Sequence, residues 1–170
     1  MKLRLLDDQS GAAAVEMALV TPFLIVLMFG SFELGKYFLD NHVVAKAVRE
    51  GARFASRQGF SKFSCDSPAT VDSGVVTSVQ NLTRTNQVTS GGAPRLGYWT
   101  DLNSANAKTV TVTLRCDTSG IYGNFYEGMA GVPVVTVSVS VDYNSLFSNL
   151  GFNTSGIRVA SSSEVPVMGI

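Results

Sequence analysis

The chain has 170 residues, 45% of them hydrophobic, with one histidine and two cysteines. Its 13 basic and 13 acidic residues cancel, which argues against nucleic acid as a partner. A single histidine excludes a histidine cluster, and the length suits one anchor and one small domain.

The first eleven residues, MKLRLLDDQSG, form a short polar leader with Lys2 and Arg4 set against Asp7 and Asp8. From Gly11 to Arg57 the sequence predicts one long helix, roughly 70 Å at ~1.5 Å per residue. Its first half is apolar enough for a membrane. Between Ala12 and Phe32 the single charge is Glu16, and a bilayer core is only ~30 Å thick. A secretory signal is cut after its apolar run, whereas here Gly11 precedes the run and no A-x-A-like site follows it. A carboxylate inside an apolar span is costly, so Glu16 is a functional candidate; the plainer alternative is a residue at the cytoplasmic surface.

Pro22 falls within the span, removes a backbone donor and tends to kink a helix. Gly30, Ser31 and Gly35 form a small-residue patch that would let another helix approach, or reflect ordinary membrane-helix composition. Gly30 to Lys36, GSFELGK, formally matches a phosphate loop. Tyr37 follows where Ser or Thr is needed and no strand precedes it, so the match is rejected. Lys36 and Tyr37 instead mark a membrane surface, with Glu33 free to pair with either of them or with a neighbouring subunit.

From Asn41 the pattern is amphipathic. Val44, Val48, Gly51 and Ala55 form one stripe, and His42, Lys46, Arg49, Arg53 and Arg57 the opposite face. The basic face is either a solvated surface or a contact for anionic lipid or an acidic partner. Gly59 stops the helix.

Phe60 to Pro68 reads as a loop, with Ser67 as N-cap and Pro68 opening a helix from Ala69 to Thr83; its β-branched residues also fit a strand. Thr85 to Asn106 reads as a loop whose Tyr98 and Trp99 cap a core or meet a partner. Lys108 to Cys116 and Val132 to Tyr143 alternate as strands. Ile157 to Val167 is a last strand, broken at Ser161 to Ser163. The connection Asp117 to Gly131 carries Tyr122, Phe125 and Tyr126, and Asn144 to Gly156 carries Leu146, Phe147, Leu150 and Phe152. The expected class is α+β, a long N-terminal helix packed on a small antiparallel β-sheet domain. Cys65 and Cys116 either pair, given an oxidising compartment, or remain two buried thiols. Asn81 and Asn153 match the glycosylation pattern, and no catalytic, cofactor or metal motif stands out.

A polar leader, Gly11 and an apolar helix with Glu16 five residues later resemble a type IV prepilin. GAAAVEMALVTPFLIVLMFGSFELGKYF with AVREGARFAS, and more weakly VPVVTVSVSVDYNSLF, resemble the TadE-like minor pilins (pseudopilins) of the tight-adherence pilus. The resemblance implies a pilin-like fold and a non-enzymatic role in pilus assembly, initiation or capping. Residues 1–11 would be the leader, 12–58 the helix and 59–170 an extracytoplasmic domain. A prepilin peptidase would cut between Gly11 and Ala12. The implied partners are other pilins and minor pilins through the helix, an inner-membrane assembly platform with its ATPase, and the lipid bilayer. Glu16, Pro22, Gly30, Glu33 and Gly35 are the candidate assembly residues, with the C-terminal domain in the periplasm. The positive-inside rule opposes that orientation, because Lys36, Lys46, Arg49, Arg53 and Arg57 follow the span. The rivals are a single-span binding protein, a platform subunit that never enters a filament and, last, an envelope enzyme.

Overall fold

The computed structural model describes residues 10–99, 110–122, 126, 127, 129, 131–148 and 156–170. The leader up to residue 9, and with it Lys2 and Arg4, lies outside them. So do Phe125, Leu150, Phe152 and the glycosylation match at Asn153.

The first helix, α1, runs without a break from Ser10 to Ser56. Pro22 sits within it. Beside that proline, which offers the Ala18 carbonyl no amide, the Thr21 hydroxyl donates to the Met17 carbonyl at 2.5 Å. The helix closes in tighter turns, with the Arg57 amide on the Phe54 carbonyl and the Gln58 amide on that of Ala55. Gly59 follows as expected of a stop.

A turn of 3₁₀ helix at Phe60–Lys62 leads into a two-stranded ribbon, β1 (Phe63–Ser64) antiparallel to β2 (Thr70–Val71). Strands of two residues are too short to show alternation, which is why the segment reads as a loop in sequence. The second helix, α2, spans Ser73–Thr85. Its N-cap is Asp72, not Ser67: Asp72 Oδ1 accepts the amides of Gly74 at 2.9 Å and Val75 at 3.3 Å. Ser67 and Pro68 belong to the turn of the ribbon. The helix ends on Asn86 in the left-handed region, with φ 62°.

Three longer strands form one antiparallel sheet in the order β3 (Val110–Asp117), β4 (Val132–Asp142), β5 (Arg158–Pro166). The break expected at Ser161 to Ser163 does not occur. Ser161, Ser162 and Ser163 pair with Val139, Ser138 and Val137. Ser161 and Ser163 share a face with Val159 and Val165, and a short side chain there lets α1 lie close to an edge strand.

The core sits where α1 crosses this sheet. Val44, Ala47, Val48, Ala52 and Ala55 are fully buried. They meet Val135, Val137, Val139 and Val141 of β4, Val159 of β5, and Val75 and Val79 of α2. Each buried valine is worth about 1.5–3 kcal/mol, so this apolar seam, and not any polar contact, fixes the helix on the domain. Trp99 is 1% exposed and part of that core. On the far side of β4, Val132 and Val134 pack under Tyr126, whose hydroxyl donates to the Val167 carbonyl at 2.7 Å. Cys65, between β1 and β2, is joined by a disulfide to Cys116 on β3, with Cα atoms 5.8 Å apart. The bond ties the ribbon to an edge of the sheet. The chain is therefore α+β, a long helix laid on a small antiparallel sheet.

Candidate functional site

The candidate site is α1 itself, and the domain divides it in two. Among the described residues α1 is the one helix long and apolar enough to cross a membrane. Its first half has no cover from the other described residues: Met17, Phe23 and Leu27 are 63%, 72% and 69% exposed. Such a surface is stable against lipid or against other apolar helices, and not against water.

Gly11, Ala12 and Glu16 lie at the exposed start of the helix. Gly30 and Gly35 are also exposed, and a Cβ added at Gly11, Gly30 or Gly35 would meet no atom within 4 Å. Nothing in this chain's own packing requires a glycine at 30 or 35. The flat strip they make with Ser31 is open to another helix.

Contact with the domain begins at Phe29, whose ring lies edge-on to Phe147 with centroids 4.7 Å apart. One turn on, Glu33 Oε2 accepts the Leu146 amide at 3.1 Å, and the Glu33 carbonyl accepts from the Tyr143 hydroxyl at 3.2 Å. Glu33 thus binds the domain of its own chain, rather than Lys36 or Tyr37 as the spacing suggested. Lys36 Nζ donates to Asp40 Oδ2 at 2.7 Å and to the Asn144 carbonyl at 2.8 Å. It also stands over the rings of Tyr98 and Tyr143, at 4.9 and 4.6 Å from their centroids. The Tyr98 hydroxyl completes the cluster by donating to Asp40 Oδ2 at 2.8 Å. Burial, then the Asp40 carboxylate, push the Tyr98 phenol well above its usual range. Burial, then Glu33, do the same to Tyr143. Tyr37 packs edge-on against Tyr143 at 5.4 Å.

Asp40, Tyr143 and Asn144 were not singled out from sequence, and Tyr98 was read as capping a core or meeting a partner, not as a neighbour of Lys36. The Lys36–Asp40 spacing of four on a helix was readable. The two tyrosines come from loops far along the chain, and no local pattern brings them to Lys36.

Beyond the junction, His42, Lys46, Arg49, Arg53 and Arg57 are exposed on the face opposite the buried stripe. Glu50, between them, takes Arg95, which also donates to the Leu82 carbonyl and to Asn86 Oδ1. Asn81 is buried, and its amide donates to the Val88 carbonyl at 3.3 Å, so it is closed to glycosylation.

No curated protein and no solved structure matches the chain. The likeness to a known family lies on the helix. Residues 11–53, the exposed apolar half together with the stripe that builds the core, match the family model of TadE-like protein.

Proposed function

We propose that the chain is a minor pilin, or pseudopilin, of a tight-adherence pilus, cut after Gly11 and used in assembly, initiation or capping. The observation that carries this reading is the division of one uninterrupted helix. Its outer half is built into a folded domain, while its first half is wholly exposed, apolar and interrupted by a single carboxylate, Glu16. A helix of that form rests in lipid and can exchange lipid for the helices of other pilins. The exchange replaces one apolar surround by another, so close packing at Gly30 and Gly35 and polar pairing at Glu16 decide it.

In this reading the N-terminus faces the cytoplasm and the domain the periplasm. The basic residues after the span weigh against it by the positive-inside rule, but less than their number suggests. Lys36 is paired with Asp40, and the others lie on a folded domain, and domains cross membranes largely regardless of their charge. A disulfide between Cys65 and Cys116 suits an oxidising compartment. A helix serving only as an anchor would have no use for Glu16 in its apolar half.

The test is Glu16→Ala. After cleavage the amine of Ala12 would begin an apolar helix, and Glu16 of a staggered neighbour would neutralise it. Losing one partner of a buried pair costs ~3–5 kcal/mol. The variant is expected to insert and to be cut, but to lose co-purification with its pilin partners and hence piliation. Normal partner binding and normal pili would favour the simple anchor.

A further inference from the structure

The loop 144–148 runs down α1 towards the apolar half. The Asn144 carbonyl meets Lys36, the Leu146 amide meets Glu33 and the Phe147 ring meets Phe29. Each contact is one helical turn, or nearly so, closer to the span. We propose that this loop is a second membrane contact, with Leu146 and Phe147 seated in the outer boundary of the bilayer that α1 crosses. The proposal rests on the reading that α1 spans a membrane from about Ala12.

The depth follows from the helix. From Ala12 to Phe29 the rise is roughly 25 Å at ~1.5 Å per residue. A hydrocarbon core is ~30 Å thick, so Phe29 lies just inside its far edge. Phe147 is held against Phe29 and shares that level. Leu146 beside it is 53% exposed and belongs to neither core cluster of the domain. The exposed apolar surface of the helix therefore continues without a gap onto the loop.

Of the two charged groups at this level, Lys36 is arranged for scarce water, while Glu33 has one carboxylate oxygen buried without a partner among the described residues. Glu33 and Lys36 are the first charges beyond the span, and each bonds to a main-chain group of this loop. Lys36 is further neutralised by Asp40 and flanked by two aromatic rings. A cation satisfied inside the protein has no need to reach for bulk water, which lets the domain rest directly on the membrane. Aromatic and aliphatic side chains at such a boundary favour the interface of acyl chain and head group, the level a lipid surface offers and a soluble partner does not.

The experiment uses tryptophan as a depth ruler in the full chain, reconstituted in phospholipid vesicles. Trp99 is buried in the core and gives a constant background. Leu146→Trp reports the loop, Phe23→Trp the middle of the span, and Ile170→Trp a site near the opposite end of the domain, where the Met168 amide bonds to Ser56. Lipids brominated near the head group or near the chain end are the quenchers. Retention of the Cys65–Cys116 disulfide and of the wild-type melting temperature verifies that each variant is folded. For a side chain about 5–10 Å below the head groups, Leu146→Trp should be quenched roughly twofold more by the shallow bromine than by the deep one. Phe23→Trp should show the reverse order, and Ile170→Trp no quenching. Quenching of Phe23→Trp with none of Leu146→Trp overturns the loop contact and leaves the span standing; the loop then faces water or another protein. No quenching at either position overturns the span and the loop contact together.

Discussion

Gly51 of α1 lies directly against Thr83 of α2, so close that a Cβ at position 51 would overlap the threonine hydroxyl oxygen. That hydroxyl is buried and has no hydrogen-bond partner among the described residues, so it contributes bulk at this crossing and little else. Gly51→Ala should lower stability by about 1–3 kcal/mol through overpacking. Thr83→Ala in the same molecule should recover most of the loss, because it removes the oxygen that the new methyl meets. Melting of the two single variants and the double variant in detergent measures the coupling. Simple additivity would show that the new methyl does not meet the Thr83 hydroxyl.

The Cys65–Cys116 bond closes a loop with a sequence separation of 51 residues. On the loop-entropy account its loss should cost roughly 4 kcal/mol. Cys65→Ala with Cys116→Ala, or reduction of the wild type, should therefore lower the melting temperature by many degrees. The ribbon of β1 and β2 has only two paired residues per strand and should be the first part to lose order. Hydrogen exchange confined to the ribbon at mild reductant, with the sheet still protected, is the expected pattern.

The two tyrosines at Lys36 set a response to alkali. Tyr98 and Tyr143 both have folded values above the ordinary phenol value of 10.0. The folded state holds their protons more tightly than the unfolded chain does. That share of stability is fully present below pH 10 and is lost as the pH climbs past it. Phenolate absorbance from these two residues, isolated by comparison with Tyr98→Phe and Tyr143→Phe, should appear together with loss of the folded signal. Ionisation of both with helix and sheet intact would contradict the burial described for them.

Processing can be read at Gly11. The residue lies in the exposed first turn of α1, where a helix frays readily, and glycine there weakens the helix by roughly 0.5–1 kcal/mol relative to alanine. An extended backbone in a peptidase cleft is then easily reached. Gly11→Val should leave the longer precursor in peptidase-competent cells. Mass spectrometry that finds an intact Met1 on the wild-type protein would sink the cleavage proposal.

The parts of the fold that were legible in sequence are those with a sustained period. The stripe of Val44, Val48, Gly51 and Ala55 and the alternation of Val135, Val137, Val139 and Val141 both pointed to the faces that are buried. Where the period is too short or the signal is tertiary, the reading failed. Ser67 looked like the cap, because β2, which separates Pro68 from the helix, has only two residues. Ser161 to Ser163 looked like a break, because serine is uncommon in strands and nothing local shows that α1 needs room there. Glu33 looked like a partner for its helical neighbours, yet a loop more than a hundred residues away takes it. The exposed apolar half of α1 was legible from composition alone, since nothing else in the chain can cover so much apolar surface.

The stripe on α1 also dictates when the protein can fold. Its valines and alanines leave the ribosome early, but the strand that closes over them, Arg158–Pro166, follows every other described element. Val167 and Met168 then bond to Pro133 and Ser56 and complete the seal. Until that moment the valine-rich β4, paired with β3 on one side, has its other edge open, the form in which strands aggregate. A clipped product lacking β5 would keep that edge open, and is expected to aggregate or be degraded rather than to act in part.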